Sequence, residues 1–277
     1  MLRQDQHDVL YFHLLLTLFL PMKTAFLLPT LLISLSAVAQ NQPQGKPEET
    51  EVWKPVPKVV TATGVFTAPP SDALVLFNGR DLTQWVSVED RTKPAGWKVA
   101  DGLLTVDKKT GNIETKQKFT NYQLHLEWRV PATISGKGQV RGNSGLFLAS
   151  LGKGDLGYEL QILDSYQNET YVNGMAGSIY KQFIPLANPT QKPGQWQSYD
   201  VLWTAPTFKP DGTLQTPARV TVLFNGVLVQ NNTELKGATV YIGPPSYQQH
   251  GPSPIKLQSH GDPSEPISFR NIWVREL

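Results

Sequence analysis

Cysteine is absent from this 277-residue chain. A disulfide framework, thiol catalysis and thiolate metal sites are therefore excluded. Charge is also sparse, at 17% Asp, Glu, Lys and Arg with a net +2. No dense Lys/Arg cluster or aromatic–basic interleaving suggests a nucleic-acid surface, so no such partner is expected. The sequence has no phosphate loop, dinucleotide glycine pattern, GxSxG elbow, zincin His/Glu spacing or Asp-rich calcium loop. Neither metal nor cofactor is expected, and the chain is not expected to perform NAD-linked oxidation itself. Beyond residue 39 no long stretch keeps the 3.6-residue apolar period of a helix.

Apolar runs long enough to span a bilayer are missing too. Val9–Leu20 and Ala25–Val38 are broken by Pro21 and Pro29, and each is shorter than the roughly 20 residues a spanning helix needs. The second run, read from Met22, has the layout of a secretory signal. Lys23 is the basic end, Ala25–Leu35 the apolar stretch, and Ala37-Val38-Ala39 offers small residues for cleavage after Ala39. Residues 1–39 are thus expected to be an N-terminal extension and signal peptide. The mature protein is expected to be secreted or periplasmic, without stable membrane insertion. Residues 40–71, rich in Pro and polar residues, read as a linker or a loosely docked arm, with Trp53, Val59 and Val60 available for docking.

What the chain does have is turns and alternation. There are 22 Gly and 22 Pro, and from Asp72 short apolar runs are separated by turn signals. Trp97–Val99 and Leu103–Val106 flank Asp101-Gly102, and Arg219–Val229 folds about Asn225-Gly226, both strong hairpin signals. Ala73–Phe77, Asn112–Thr115, Asn121–Val130, Ser144–Ser150, Tyr158–Asp164, Trp196–Trp203, Ile255–His260 and Ile267–Leu277 read as further strands. Gln167–Pro193, mixed in pattern, reads as a long loop over one face. One all-β domain over 72–277 follows, a sandwich or barrel.

On a strand, neighbouring side chains face opposite ways. In YELQILD, Glu159 and Gln161 therefore share one face, while Tyr158, Leu160 and Ile162 share the other. A carboxylate beside an amide suits a polyhydroxyl ligand. By the same parity Gln258 and His260 are expected on one strand face, and an imidazole suits proton transfer near neutral pH. Glu127 and Arg129 share a face of LEWRV, an i, i+2 pair that is more often an exposed ladder. Arg141 precedes the Asn143-Ser144 turn, where it is equally suited to an ion pair or to an anionic oxygen. Tyr180 and Lys181 sit in the long loop and could cover a sugar. Asp164 is expected to form a turn.

LFNGRDLTQW (76–85), LEWRV, GNSGLFL (142–148), YELQILD, KPGQWQSYDV (192–201), LFNGVLVQ (223–230) and IKLQSHG…FRNIWVREL (255–277) occur in this order. Together they resemble the 3-keto-disaccharide hydrolase domain family across essentially all of 72–277. Two departures stand out: Ala149, where many relatives carry Arg, and what looks like a small insertion at Ser264-Glu265-Pro266. The resemblance implies a two-sheet antiparallel jelly-roll sandwich like the concanavalin A-like lectins and glucanases. It also implies an oligosaccharide or glycoside substrate whose 3-hydroxyl a separate oxidoreductase has oxidised to a ketone.

Such a ketone acidifies the C2 hydrogen. A base can then remove it, the C1 substituent is expelled, and water can add to the enone. The resemblance thus points to Glu159, His260 and Arg141 as the catalytic candidates. Gln161, Gln258, Asn143, Glu127, Tyr180 and Lys181 are the candidates for substrate binding. A non-catalytic carbohydrate-binding module is the alternative reading.

Overall fold

At Asp101-Gly102 and Asn225-Gly226 both turn residues have positive φ (53° and 74°; 52° and 77°). That two-residue geometry matches the twist of the strands it joins. The computed structural model describes residues 45–57, 59 and 68–277, so the signal-peptide reading lies outside the described residues. The first strands are β1 (Leu74–Phe77), β2 (Trp85–Ser87), β3 (Lys98–Ala100), β4 (Leu103–Thr105), β5 (Ile113–Thr115), β6 (Tyr122–Arg129), β7 (Ser144–Ser150) and β8 (Gly157–Ile162). They are followed by β9 (Gln197–Thr204), β10 (Thr207–Phe208), β11 (Leu214–Thr216), β12 (Arg219–Phe224), β13 (Val227–Glu234), β14 (Lys256–Leu257) and β15 (Ser268–Glu276).

The larger sheet runs β13-β12-β9-β6-β15-β4-β3, with β1 also paired to β15, and the smaller runs β2-β5-β14-β7-β8. All the strand pairs are antiparallel. The protein is the expected all-β, two-sheet antiparallel jelly-roll sandwich. Trp128, Tyr199 and Phe224 from the large sheet meet Leu146, Leu160, Ile162 and Leu257 from the small one in a single core. Full burial of one such aliphatic or Phe side chain stabilises by about 1.5–3 kcal/mol. Two phenols also bridge the layers, Tyr122 donating to the Leu148 carbonyl (2.6 Å) and Tyr199 to that of Gln161 (2.7 Å).

Parity then decides the outer face of the small sheet. With Ile113, Leu146, Leu160 and Leu257 turned into the core, Glu114, Phe147, Glu159 and Lys256 fall on the other side, in one register row.

Several elements differ from expectation. β14 is only Lys256–Leu257, so Gln258 and His260 lie beyond the strand rather than on it. The long loop does not simply lie over a face: residues 178–180 run along β8. Gln161 N–H donates to Ser178 O (2.9 Å) and Tyr180 N–H to Glu159 O (3.1 Å). β8 is the last strand of its sheet, and its outward backbone groups need these partners. Strand β2 and the β10–β11 hairpin were not among the expected strands.

The arm is docked over residues 45–57. Val172 N–H donates to Val52 O (2.6 Å), Asn173 bonds both Val52 N–H and Thr50 O, and Trp53 meets Tyr171 edge-on. Among the described residues no helix is long and apolar enough to cross a membrane.

Candidate active site

On the outer face of the small sheet lies a cavity of about 330 Å³, lined by Asn143, Asp155, Glu159, Gln161, Tyr180, Thr239, Tyr241, Gln258 and His260. Its size is near the lower end of the roughly 300–1,000 Å³ typical of small-molecule sites. Six residues singled out in the sequence meet here: Glu159, Gln161, Gln258, His260, Asn143 and Tyr180.

Glu159 is fully enclosed. Its carboxyl lies against the backbone of Gly145, where a Cβ would stand 2.5 Å from Oε1. Only glycine leaves that space, which gives the NSG segment a purpose beyond turning the chain. Burial foremost, with Asp155 adding to the rise and Lys256 opposing it, brings the Glu159 pKa up to about 8. The group is therefore mostly protonated at neutral pH and can donate a proton.

His260 Nδ1 lies 3.1 Å from Asp262 Oδ2, and Nε2 lies 3.5 Å from the Asn143 amide nitrogen. The Asp262 N–H also approaches Nδ1, at 3.2 Å. Both side-chain contacts are satisfied if the proton sits on Nδ1, which leaves Nε2 as an acceptor at the cavity. Burial would raise the Asp262 pKa, but hydrogen bonds from His260 and Ser264 and the Lys108 ammonium bring it below the usual carboxylate range. Ser264, from the 264–266 segment, donates to Asp262 Oδ1 and accepts the Gly142 N–H (3.0 Å). The apparent insertion thus braces the aspartate that orients His260.

The amides have unspent capacity. Gln161 Nε2 donates to Asn143 Oδ1 (3.1 Å) and Gln139 Oε1 (3.3 Å), which settles the amide's orientation. Oε1 of Gln161 and Oε1 of Gln258 are buried without a hydrogen-bond partner among the described residues. A buried orphan acceptor costs about 1–3 kcal/mol, a cost that a ligand hydroxyl would remove. At the rim Tyr241 is 60% exposed, while Tyr180 shares a 2.6 Å hydrogen bond with Tyr171.

Three candidates stand elsewhere. Arg141 does not line the cavity: its guanidinium is committed to the buried Asp164 (2.6 Å) and to Tyr166 O (3.1 Å). It is a structural ion pair, and Asp164 also accepts the Tyr166 N–H as a turn former does. Glu127 is on β6 of the other sheet, and its carboxylate takes Arg270 Nε (2.6 Å) and Asn271 Nδ2 (2.8 Å). Nor does it form an exposed ladder with Arg129, which lies over the Trp196 ring instead. Lys181 backs the wall rather than lining it, its ammonium donating to Pro47 O (2.8 Å) and Tyr241 O (3.0 Å). Ala149 belongs to the core, so position 149 makes no cavity contact.

The sequence reading missed Asp155, Thr239, Tyr241 and Asp262. Asp155 lies in the short Gly-rich connector between the Ser144–Ser150 and Tyr158–Asp164 runs, and Thr239 and Tyr241 come from a segment with no periodic pattern. Asp262 carried one usable signal, its i+2 spacing from His260. Among the described residues no group of three or more His, Asp or Glu could hold a metal ion.

Two orphan acceptors call for hydroxyl donors, and with an acid–base pair beside them the sandwich reads as a carbohydrate-processing protein. Residues 72–275 match the family described as 3-keto-alpha-glucoside-1,2-lyase-like domains, and the chain belongs to that family. A crystal structure from Parabacteroides distasonis, described as a "putative glycosyl hydrolase", is 53% identical. It aligns over 85% of this chain and all of its own, with a TM-score of 0.72. A second Parabacteroides distasonis structure of the same description is 22% identical over 74% of this chain and 94% of its own, with a TM-score of 0.55, a likeness of fold. No protein of curated function matches the chain.

Proposed function

We propose that this chain is an exported enzyme that cleaves 3-keto-glycosides by 1,2-elimination. The observation that carries the reading is the meeting of Glu159 and the His260–Asp262 pair in one sugar-sized cavity. The C3 ketone acidifies the C2 hydrogen, and His260 Nε2 takes that proton while Asp262 stabilises the imidazolium. Protonated Glu159 gives its proton to the glycosidic oxygen as the C1–O bond breaks. The products are the free aglycone and a 1,2-unsaturated 3-keto sugar, to which water can add at C1. Asn143 Nδ2 is spent on Gln139 O and His260 Nε2, so the Gln258 amide nitrogen is the group left to donate to the enolate oxygen, the electrostatic role that such steps need. Arg141, committed to Asp164, takes no part.

The substrate must arrive already oxidised, which calls for a separate oxidoreductase. Export rests on the signal-like Met22–Ala39 segment. The exposed Tyr241 ring at the rim favours a second reading, a module that holds a glycan without cleaving it.

The test is 4-nitrophenyl 3-keto-glucoside with the purified chain. Nitrophenol release that H260A suppresses supports the enzyme, as does exchange of the C2 hydrogen in D2O. The acid is tested with methyl 3-keto-glucoside, whose leaving oxygen needs a proton and whose cleavage E159Q should suppress. Sugar binding without nitrophenol release would leave only the binding module.

A further inference from the structure

Lys256 has no exposed surface, which is rare for an ammonium unless it is well partnered. Its Nζ donates to three carbonyls of one short loop, Gly152 O (3.1 Å), Gly154 O (2.8 Å) and Leu156 O (2.8 Å), and lies 4.5 Å from the centre of the Phe147 ring. All three donor protons are thereby used on the loop. The same loop is tied a second time by Asn112, whose Nδ2 reaches Gly154 O and Asp155 Oδ1, both at 3.1 Å. Between these two anchors sits Asp155, a cavity-lining carboxylate. Nothing in the proposed elimination uses either Lys256 or Asp155.

We propose that Lys256 is a positioning residue for this site, clamping the Gly152–Leu156 loop so that Asp155 stands in the cavity as a second carboxylate against Glu159. Asp155 is exposed at the cavity mouth, and a second carboxylate beside the buried Glu159 disfavours its ionisation, so Asp155 helps to keep the proton on Glu159, the group that must give it away. Lys256 acts in two opposed ways. Its charge favours ionised Glu159, whereas its grip on the loop holds in place the charge that disfavours it. The other titratable groups around Glu159 are His260, Tyr241 and the Tyr171–Tyr180 pair. None of these depends on the loop for its place. The positioning itself stands on the carbonyl cage; only its catalytic consequence rests on the elimination reading.

The test is a substitution cycle read by NMR titration of the 13C-labelled Glu159 carboxyl group in the full chain. D155N is expected to lower the Glu159 midpoint by about one pH unit or more. In a K256M background, where the loop is unclamped, D155N is expected to shift it little. Should K256M fail to fold, N112A supplies the second background, since it removes the other tether. A D155N shift of equal size with and without the clamp would overturn the proposal, as would no shift in the wild-type background. If the cycle shows coupling but the alkaline limb of methyl 3-keto-glucoside cleavage does not follow the Glu159 midpoint, the elimination reading fails while the positioning role holds.

Discussion

Glu127 and Glu159 are both nearly inaccessible, at 2% and 5% exposure, and both stand mid-strand, yet they hold their protons differently. For each, burial is the largest influence and pushes the pKa up. At Glu127 the hydrogen bonds from His125, Asn271 and Arg270 overcome it and bring the pKa below the ordinary value. At Glu159 Asp155 adds to the rise, Lys256 offsets only part of it, and the pKa reaches about 8. The difference lies in what the neighbouring strand brings across. Opposite Glu127 the register places Arg270; opposite Glu159 it places Phe147. A buried carboxyl given a cation becomes a structural ion, while one given a phenyl ring becomes a proton store.

Exchanging the roles should be most visible in rate. With methyl 3-keto-glucoside, whose leaving oxygen needs a proton, E159Q is expected to lower cleavage by about 10²–10⁴-fold, the usual contribution of a positioned acid or base, while E127Q leaves it near wild type. Equal losses would erase the distinction. Stability should show the reverse. E127A removes one buried partner from each of His125 and Arg270 and should cost about 3–5 kcal/mol in denaturant unfolding.

The pH dependence sharpens the contrast. Glu159 titrates near 4.5 when unfolded and about 8 when folded, so its contribution to stability is complete below pH 4.5 and is lost as pH rises through 8. E159Q should therefore remove a decline in melting temperature across that window. What decline remains should fall between about 6.5 and 9 and belong to His125. Burial there favours the neutral ring, but the Asp200 and Glu127 partners raise the pKa to about 9.

A smaller effect is expected from G145A, whose methyl would stand 2.5 Å from Glu159 Oε1. It should displace the carboxyl, cutting turnover at a stability cost of about 1–3 kcal/mol. The least effect is expected from Y241A. Losing a rim aromatic worth about 0.5–1.5 kcal/mol should raise KM by roughly tenfold or less with kcat little changed.

Much of the fold was legible because a period of two is written directly into the chain. The alternation in YELQILD placed Glu159 and Gln161 on the face that proved to carry the cavity, and the Asp101-Gly102 and Asn225-Gly226 turns formed the hairpins they predict. The same parity also puts Lys256 on the face of Gln258, a signal available in KLQ but not used. Partnership was not legible. Arg141 looked as suited to chemistry as His260, and Glu127 stood among the binding candidates, because a charged residue in a sequence does not show which opposite charge another strand will bring. Asp155 and Tyr241 come from aperiodic loops, where no spacing rule locates a side chain.

The amino-acid order alone determined most of the strands, the two-residue turns that join them and which side chains share a face, because pleating and turn geometry act over a few neighbours. The tertiary structure alone decided which of those faces is dry, which carboxyl meets Arg270 and which meets Phe147, and that Lys256 vanishes beneath a loop. Those outcomes depend on register between strands far apart in the chain, and in a low-dielectric interior such a neighbour decides whether a buried carboxyl is ionised or neutral.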